Sequence, residues 1–279
     1  MTARESYQGW RELPTILKVA IVIVFVQLFV AVAAPLLAPY DPLFQDVVAR
    51  LSGPSWQHWL GTDRFGRDVL SRVLYGYRSS FAVAFAAVVI ALSIGGTLGL
   101  LAAYYRGWID RILSRLMDVL FAFPIILLAI GVIAVLGTGA TSTIIAIAVV
   151  YTPIFARIVR GPALVLREAE FVAAIRSVGA GDARILLGHI LPNLLGVILV
   201  QTSLLLSSAI LVEASLSFLG LGTQPPTPSL GLMLVEGRNY LALAPWDSIF
   251  SGLGILFAAF GFNFLGDCLR DQLDPRLRD

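Results

Sequence analysis

Charge is scarce in this sequence. Only 14% of its 279 residues are Asp, Glu, Lys or Arg, where a soluble globular domain carries about 25%. With a mean hydropathy of +0.85, the chain is a membrane protein before any motif is considered. Lysine occurs once, as Lys18, so there is no GxxxxGKS/T loop to cradle a nucleotide phosphate. The single cysteine, Cys268, excludes an intrachain disulfide and reads as a small core residue at a span end. Two histidines, His58 and His189, make no HExxH pair.

What is present is long apolar runs. A helix needs about 20 apolar residues to cross the hydrocarbon core, and six candidate spans fall at 17–38, 81–104, 119–136, 141–157, 194–211 and 249–268. The first is too long for a signal-peptide core and lacks a good cleavage context, so it is expected to be retained. The third and fourth are separated only by Gly137-Thr138-Gly139 and read as a tight helical hairpin. Six crossings put both termini on one side. Calling that side cytoplasmic places 14 of the 20 basic residues inside, as the positive-inside rule requires. Each histidine then lies on a different side, which excludes a shared metal. The expected organisation is a segment at 1–16, a membrane domain at 17–268 and a tail at 269–279, all-α throughout.

The exterior segments carry local signals. Trp56, His58 and Trp59 cluster within 39–80 and suit anchoring at the headgroup level. DVLSRVLYGY at 68–77 has helical spacing and predicts a short helix leading into the second span. Within 213–246, Pro-Pro-Thr-Pro at 225–228 cannot be regular helix, which predicts a rigid turn.

A polar interruption at 157–192 divides the fourth and fifth spans. Glu168 to Val178 is rich in helix formers, with Phe171, Ala174, Ile175 and Val178 at one-face spacing. Gly179 or Gly181 supplies a stop. Asp182 is placed to cap a second helix over 183–190 that runs up to Pro192. The composition suits a helix lying on the bilayer surface and equally one docking into a groove of a cytoplasmic partner.

EFVAAIRSVGAGDARILLGHILPN at 170–193 resembles the EAA loop of permease subunits in bacterial binding-protein-dependent ABC importers. HWLGTDRFGRDVLSRVLYGYRSSF at 58–81, EASLSFLGLGTQPPTPSLGLMLVEGR at 213–238 and NFLGDCLRDQLDPRLR at 263–278 are similar, in the same order, to the C-type permease of dipeptide, oligopeptide and nickel importers. The resemblance implies the type I importer permease fold and a subunit without catalytic residues. It binds no cofactor itself; ATP and Mg belong to two partner ATPase subunits. A second homologous permease completes the pathway, and an extracytoplasmic binding protein delivers substrate, with peptides ahead of nickel chelates or opines. The EAA loop assigns ATPase docking to Glu170, Phe171, Ala173, Ala174, Arg176, Gly179, Ala180, Gly181 and Asp182, with Gly179 as the turn glycine. This chain departs from the family pattern at Ala173, Ala174 and Ile175, where Glu-Ala-Ala is usual. The charged contacts of that acid therefore do not carry over, while alanine preserves helix propensity and docking by shape.

The rival reading is an ion-coupled secondary transporter, which needs buried acids or broken helices. Glu213, at the exterior end of the fifth span, is the best candidate for an intramembrane acid of this kind; its bland role is an outward-facing cap or loop anchor. Ser203 and Ser207 suit a polar pathway, or bonds to their own helix backbone. Gly95, Gly96 and Gly99 predict close helix packing, within the subunit or against a second permease.

Overall fold

The structure, a computed structural model, describes residues 13–273. Arg4, Arg11, Arg276 and Arg278, counted above for orientation, lie outside the described residues. Ten α-helices and one π-helical turn make up the described part. Five of the helical stretches are long and apolar enough to cross a membrane, or six if the sharply bent pair α3–α4 is counted as one span.

Helix α1 spans Thr15–Leu37. Helix α2 starts at Val69, where the Asp68 carboxylate accepts from the Ser71 amide (2.8 Å) and hydroxyl (2.7 Å). It runs 37 residues to Tyr105, a rod of about 55 Å. The short helix expected at 68–77 and the second span are therefore one element. Helices α3 (Gly107–Phe121) and α4 (Ile125–Leu136) meet at 93°. The expected span 119–136 is corrected here: it straddles this bend, because Pro124 drives Phe123 out of helical geometry.

Helix α5 occupies Ala140–Arg167 with Pro153 and Pro162 inside it. The expected end at Arg157 is thus ten residues early, and the first part of the 157–192 interruption is helix rather than loop. After α6 (Glu170–Ser177) and α7 (Asp182–Ile185), a π-helical turn at Leu186–Ile190 leads without a break into α8 (Leu191–Phe218). Pro192 does not end a helix, contrary to expectation. Its ring would conflict with the carbonyl four residues back, and the wider π turn lies at that place. Helix α9 (Leu230–Arg238) follows the non-helical proline segment, and α10 runs Trp246–Leu273, five residues beyond the expected end at Cys268.

Gly95 and Gly99 set the central packing. A Cβ on Gly95 would overlap the Thr152 carbonyl oxygen, and one on Gly99 the Ala156 carbonyl oxygen, so α2 and α5 touch backbone to backbone. Gly96 faces the other way and would meet only Leu92 of its own helix. One apolar core gathers Tyr77, Phe81, Tyr151, Phe155, Ile210 and Phe262. A second, nearer α6, gathers Leu100, Tyr104, Val159, Val172, Ile185 and Leu194.

The α9 end of the bundle is closed by a buried ionic cluster that spacing does not reveal. Arg72 is 1% exposed; its Nη2 donates to Glu236 Oε2 (2.9 Å), and its Nε lies 3.5 Å from Asp63 Oδ2. Arg67 joins the same two acids at 2.5 and 3.1 Å. The 38–68 segment is held down by this cluster and by Trp246 Nε1, which donates to the Thr62 carbonyl (2.8 Å). The expected aromatic grouping divides: His58 Nδ1 pairs with Asp68 (2.9 Å) while Trp56 and Trp59 stay exposed.

Candidate functional site

The segment between α5 and α8 is the most structured piece outside the bundle. Helix α6 starts at Glu170, whose charge suits the helix N-terminus. It gives way at Gly179, where φ is +83°, a conformation that glycine adopts without a Cβ penalty. The Gly179 amide donates to the Arg176 carbonyl (3.0 Å) and the Ala180 amide to the Ile175 carbonyl (3.4 Å), closing the turn.

The apolar face differs from the expected one. Val172 is fully buried, and Ile175 and Ala180 share with it the apolar cluster that holds Val159 of α5 and Ile185 of α7. Phe171 (40% exposed), Ala174 and Val178 (84% exposed) point away from the bundle. Two apolar edges therefore share one short helix: an inner edge that fixes it and an outer ridge that is exposed. Spacing of three and four residues could not separate them, because both edges are apolar. Ala173 also lies on the exposed side.

Asp182 is not the cap expected of it. Gly181 holds the cap position without a side-chain bond, and Asp182 Oδ1 instead accepts from the Tyr104 hydroxyl (2.6 Å). Tyr104 is a gathering point. Arg167 Nε donates to its carbonyl (2.7 Å), and the Arg176 guanidinium lies 5.7 Å from its ring centroid. Glu168 accepts from Arg106 (2.8 Å) and Arg167 (2.6 Å). The foot of α2 is thereby tied to both sides of the Gly179 turn. Replacing Tyr104 by phenylalanine removes one charge-assisted bond at a half-open site, expected to cost about 1 kcal/mol. Amide hydrogen exchange over 170–185 should then quicken about fivefold while the buried parts of α2 and α5 keep their protection.

The remaining candidates, Ser203, Ser207 and Glu213, lie along α8. Ser203 donates to its own helix at the Leu199 carbonyl (3.1 Å), whereas Ser207 donates across to the Ala259 carbonyl of α10 (2.7 Å). Glu213 is wholly buried and accepts from the Ser217 hydroxyl (2.7 Å). No group of His, Cys, Asp and Glu suited to a metal ion occurs among the described residues.

Comparison with known proteins gives consistent matches. The family described as "Binding-protein-dependent transport system inner membrane component" matches residues 95–279. A dipeptide transport system permease protein of Alkalihalophilus pseudofirmus is 46% identical over 275 residues, covering 96% of this chain and 90% of that protein. A glutathione transport system permease protein of Pectobacterium atrosepticum is 49% identical over 257 residues, covering 91% and 85%. Among solved structures, an inward-facing form of the MetNI methionine ABC transporter aligns with a TM-score of 0.58 at 20% identity, over 71% of this chain and 93% of that one. At that identity the likeness is one of fold: an all-α bundle of five to six membrane-crossing segments.

Proposed function

This chain belongs to the binding-protein-dependent transport system inner membrane component family, whose members are non-catalytic permease components of ABC transport systems, and from that premise we propose that it forms half of the pathway of an ATP-driven importer of short peptides. It sits in the bacterial inner membrane as a multi-pass subunit. A second permease, two ATPase subunits and an extracytoplasmic binding protein complete the machine. The peptide class rests on the names of its relatives, which transport a dipeptide in one case and glutathione in the other; nickel chelates or opines are the alternative cargo.

The orientation puts α6 in the cytoplasm, in line with the excess of basic residues at that end. One observation carries the docking role: the outer ridge of Phe171, Ala174 and Val178, exposed on a helix whose inner edge is pinned by Val172 and Ile175. A helix so held presents apolar anchors at helical spacing to a groove on a partner and cannot yield when pushed. Closure of the ATPases would drive α6 against its braces. The push divides two ways, through the Gly179 turn into α7 and α8, and through Tyr104 into α2. Pore access changes outward on ATP binding and inward after hydrolysis.

Phe171→Ala combined with Val178→Asp removes the ridge and leaves the braces. In the reconstituted complex, uptake and the ATPase stimulation by loaded binding protein should each fall at least about tenfold, as expected when an anchor of a docked helix is lost. The chain should still insert and fold. Normal uptake with normal stimulation would overturn the docking assignment. ATP-independent uptake driven by an ion gradient would favour the secondary-transporter reading instead.

A further inference from the structure

Helix α3 is the least buried of the helices longer than two turns: Met117 alone among its residues is buried. Around its axis three sectors follow from the 100° step. Asp110, Ser114, Met117 and Asp118 face α5, where Arg160 holds Asp110 with a two-pronged contact (2.6 and 2.7 Å) and Arg157 holds Asp118 (3.1 Å). Trp108, Ile112, Leu116 and Val119 form an apolar sector, 70%, 57%, 52% and 59% exposed. Arg111 and Arg115 lie between the two, exposed and without a carboxylate partner among the described residues.

The level of α3 follows from α5. From the Gly139 turn, whose amide bonds the Leu221 carbonyl at the α9 end (3.2 Å), the helix carries no charge until Arg157. Eighteen residues of helix rise about 27 Å, close to the hydrocarbon thickness of about 30 Å. Arg157 and Arg160 therefore mark where α5 leaves the hydrocarbon, and they are the residues that grip α3. The 93° bend turns α3 away from the direction of α4, across the membrane surface at that depth. A tryptophan, an apolar sector and a basic sector in this arrangement match a helix lying in the headgroup region.

We propose that α3 is an interfacial helix, with Trp108, Ile112, Leu116 and Val119 immersed in the lipid of one leaflet and Arg111 and Arg115 against anionic headgroups. The orientation argued above makes that leaflet the cytoplasmic one; the depth argument stands without it. The chain thus rests on the membrane beside its own docking element, since Arg106 joins the start of α3 to Glu168 at the end of α5.

Spin labels placed singly at 111, 112, 115, 116 and 119 in a Cys268→Ala background test this. The labelled chain, with the subunits that co-purify with it, is placed in phosphatidylethanolamine–phosphatidylglycerol vesicles. Labels at 112, 116 and 119 should collide with oxygen and be shielded from a water-soluble nickel chelate, with an accessibility ratio at least about tenfold above that at 111 and 115. Shielding from both reagents at 112 and 116 would mean that protein covers this face, and oxygen-rich collisions at all five positions would mean that α3 crosses the bilayer. Either result overturns the proposal. Exchanging phosphatidylglycerol for phosphatidylcholine should raise chelate access at 111 and 115; no change would remove the anionic headgroup from it. As a label-free reading, Trp108→Phe should abolish the most strongly quenched tryptophan component in vesicles of brominated phospholipid, and unchanged quenching would contradict immersion.

Discussion

Replacing Arg72 by alanine is expected to destabilise the folded chain by about 3–5 kcal/mol, the cost of leaving buried charge unpaired. The guanidinium is 1% exposed and lies among Asp63, Glu236 and Asp247. Its removal leaves these carboxylates to Arg67 and the half-exposed Arg64. Lysine at this position keeps a charge but not the fork that reaches two acids at once, so Arg72→Lys should fall between. Thermal melting of the detergent-solubilised chain gives the ranking. The double variant Arg72→Ala, Glu236→Gln should recover part of the loss by removing one stranded charge. A wild-type melting curve for Arg72→Ala would show that the cluster contributes nothing.

A bulky residue at Gly99 is the second severe change. Its Cβ direction points into the Ala156 backbone, so no neighbouring side chain can rotate aside and the two helices must separate. Overpacking in a core costs about 1–3 kcal/mol and occasionally more; Gly99→Leu should lie at or above the top of that range, and Gly95→Leu likewise. Gly96→Ala is the control, since its side faces open space beyond Leu92. Yield of monodisperse protein and its melting temperature should separate the two leucine variants cleanly from the control.

The same three glycines show what was legible in the sequence. Their spacing announced close packing and did not say which of them made it. Hydropathy located the five long apolar helices and misjudged where several of them stop. It registers where a chain leaves lipid, whereas a helix stops where its hydrogen bonds stop. Hence α5 outlasts Arg157, α10 outlasts Cys268, and α2 begins twelve residues before its apolar run. The broken span escaped for the converse reason: Pro124 sits in unbroken apolar sequence, so the bend leaves no trace in polarity. The turn at Gly179 was readable because a single backbone conformation demands a single residue type. The partner of Arg72 was not, because Glu236 stands 164 positions away and nothing local points to it.

The unbroken course of α2 has a consequence for energetics at a distance. One proline-free helix carries Arg72 near its start and Tyr104 near its end, and α5 is locked against it at Gly95 and Gly99. A helix without an internal proline passes a displacement along its axis more directly than one broken by a kink. Where a ligand's effect at the Arg72 cluster reaches Tyr104 along this helix, the effect returns by the same free energy. Ligands that meet only opposite faces of this chain are therefore expected to read each other's occupancy.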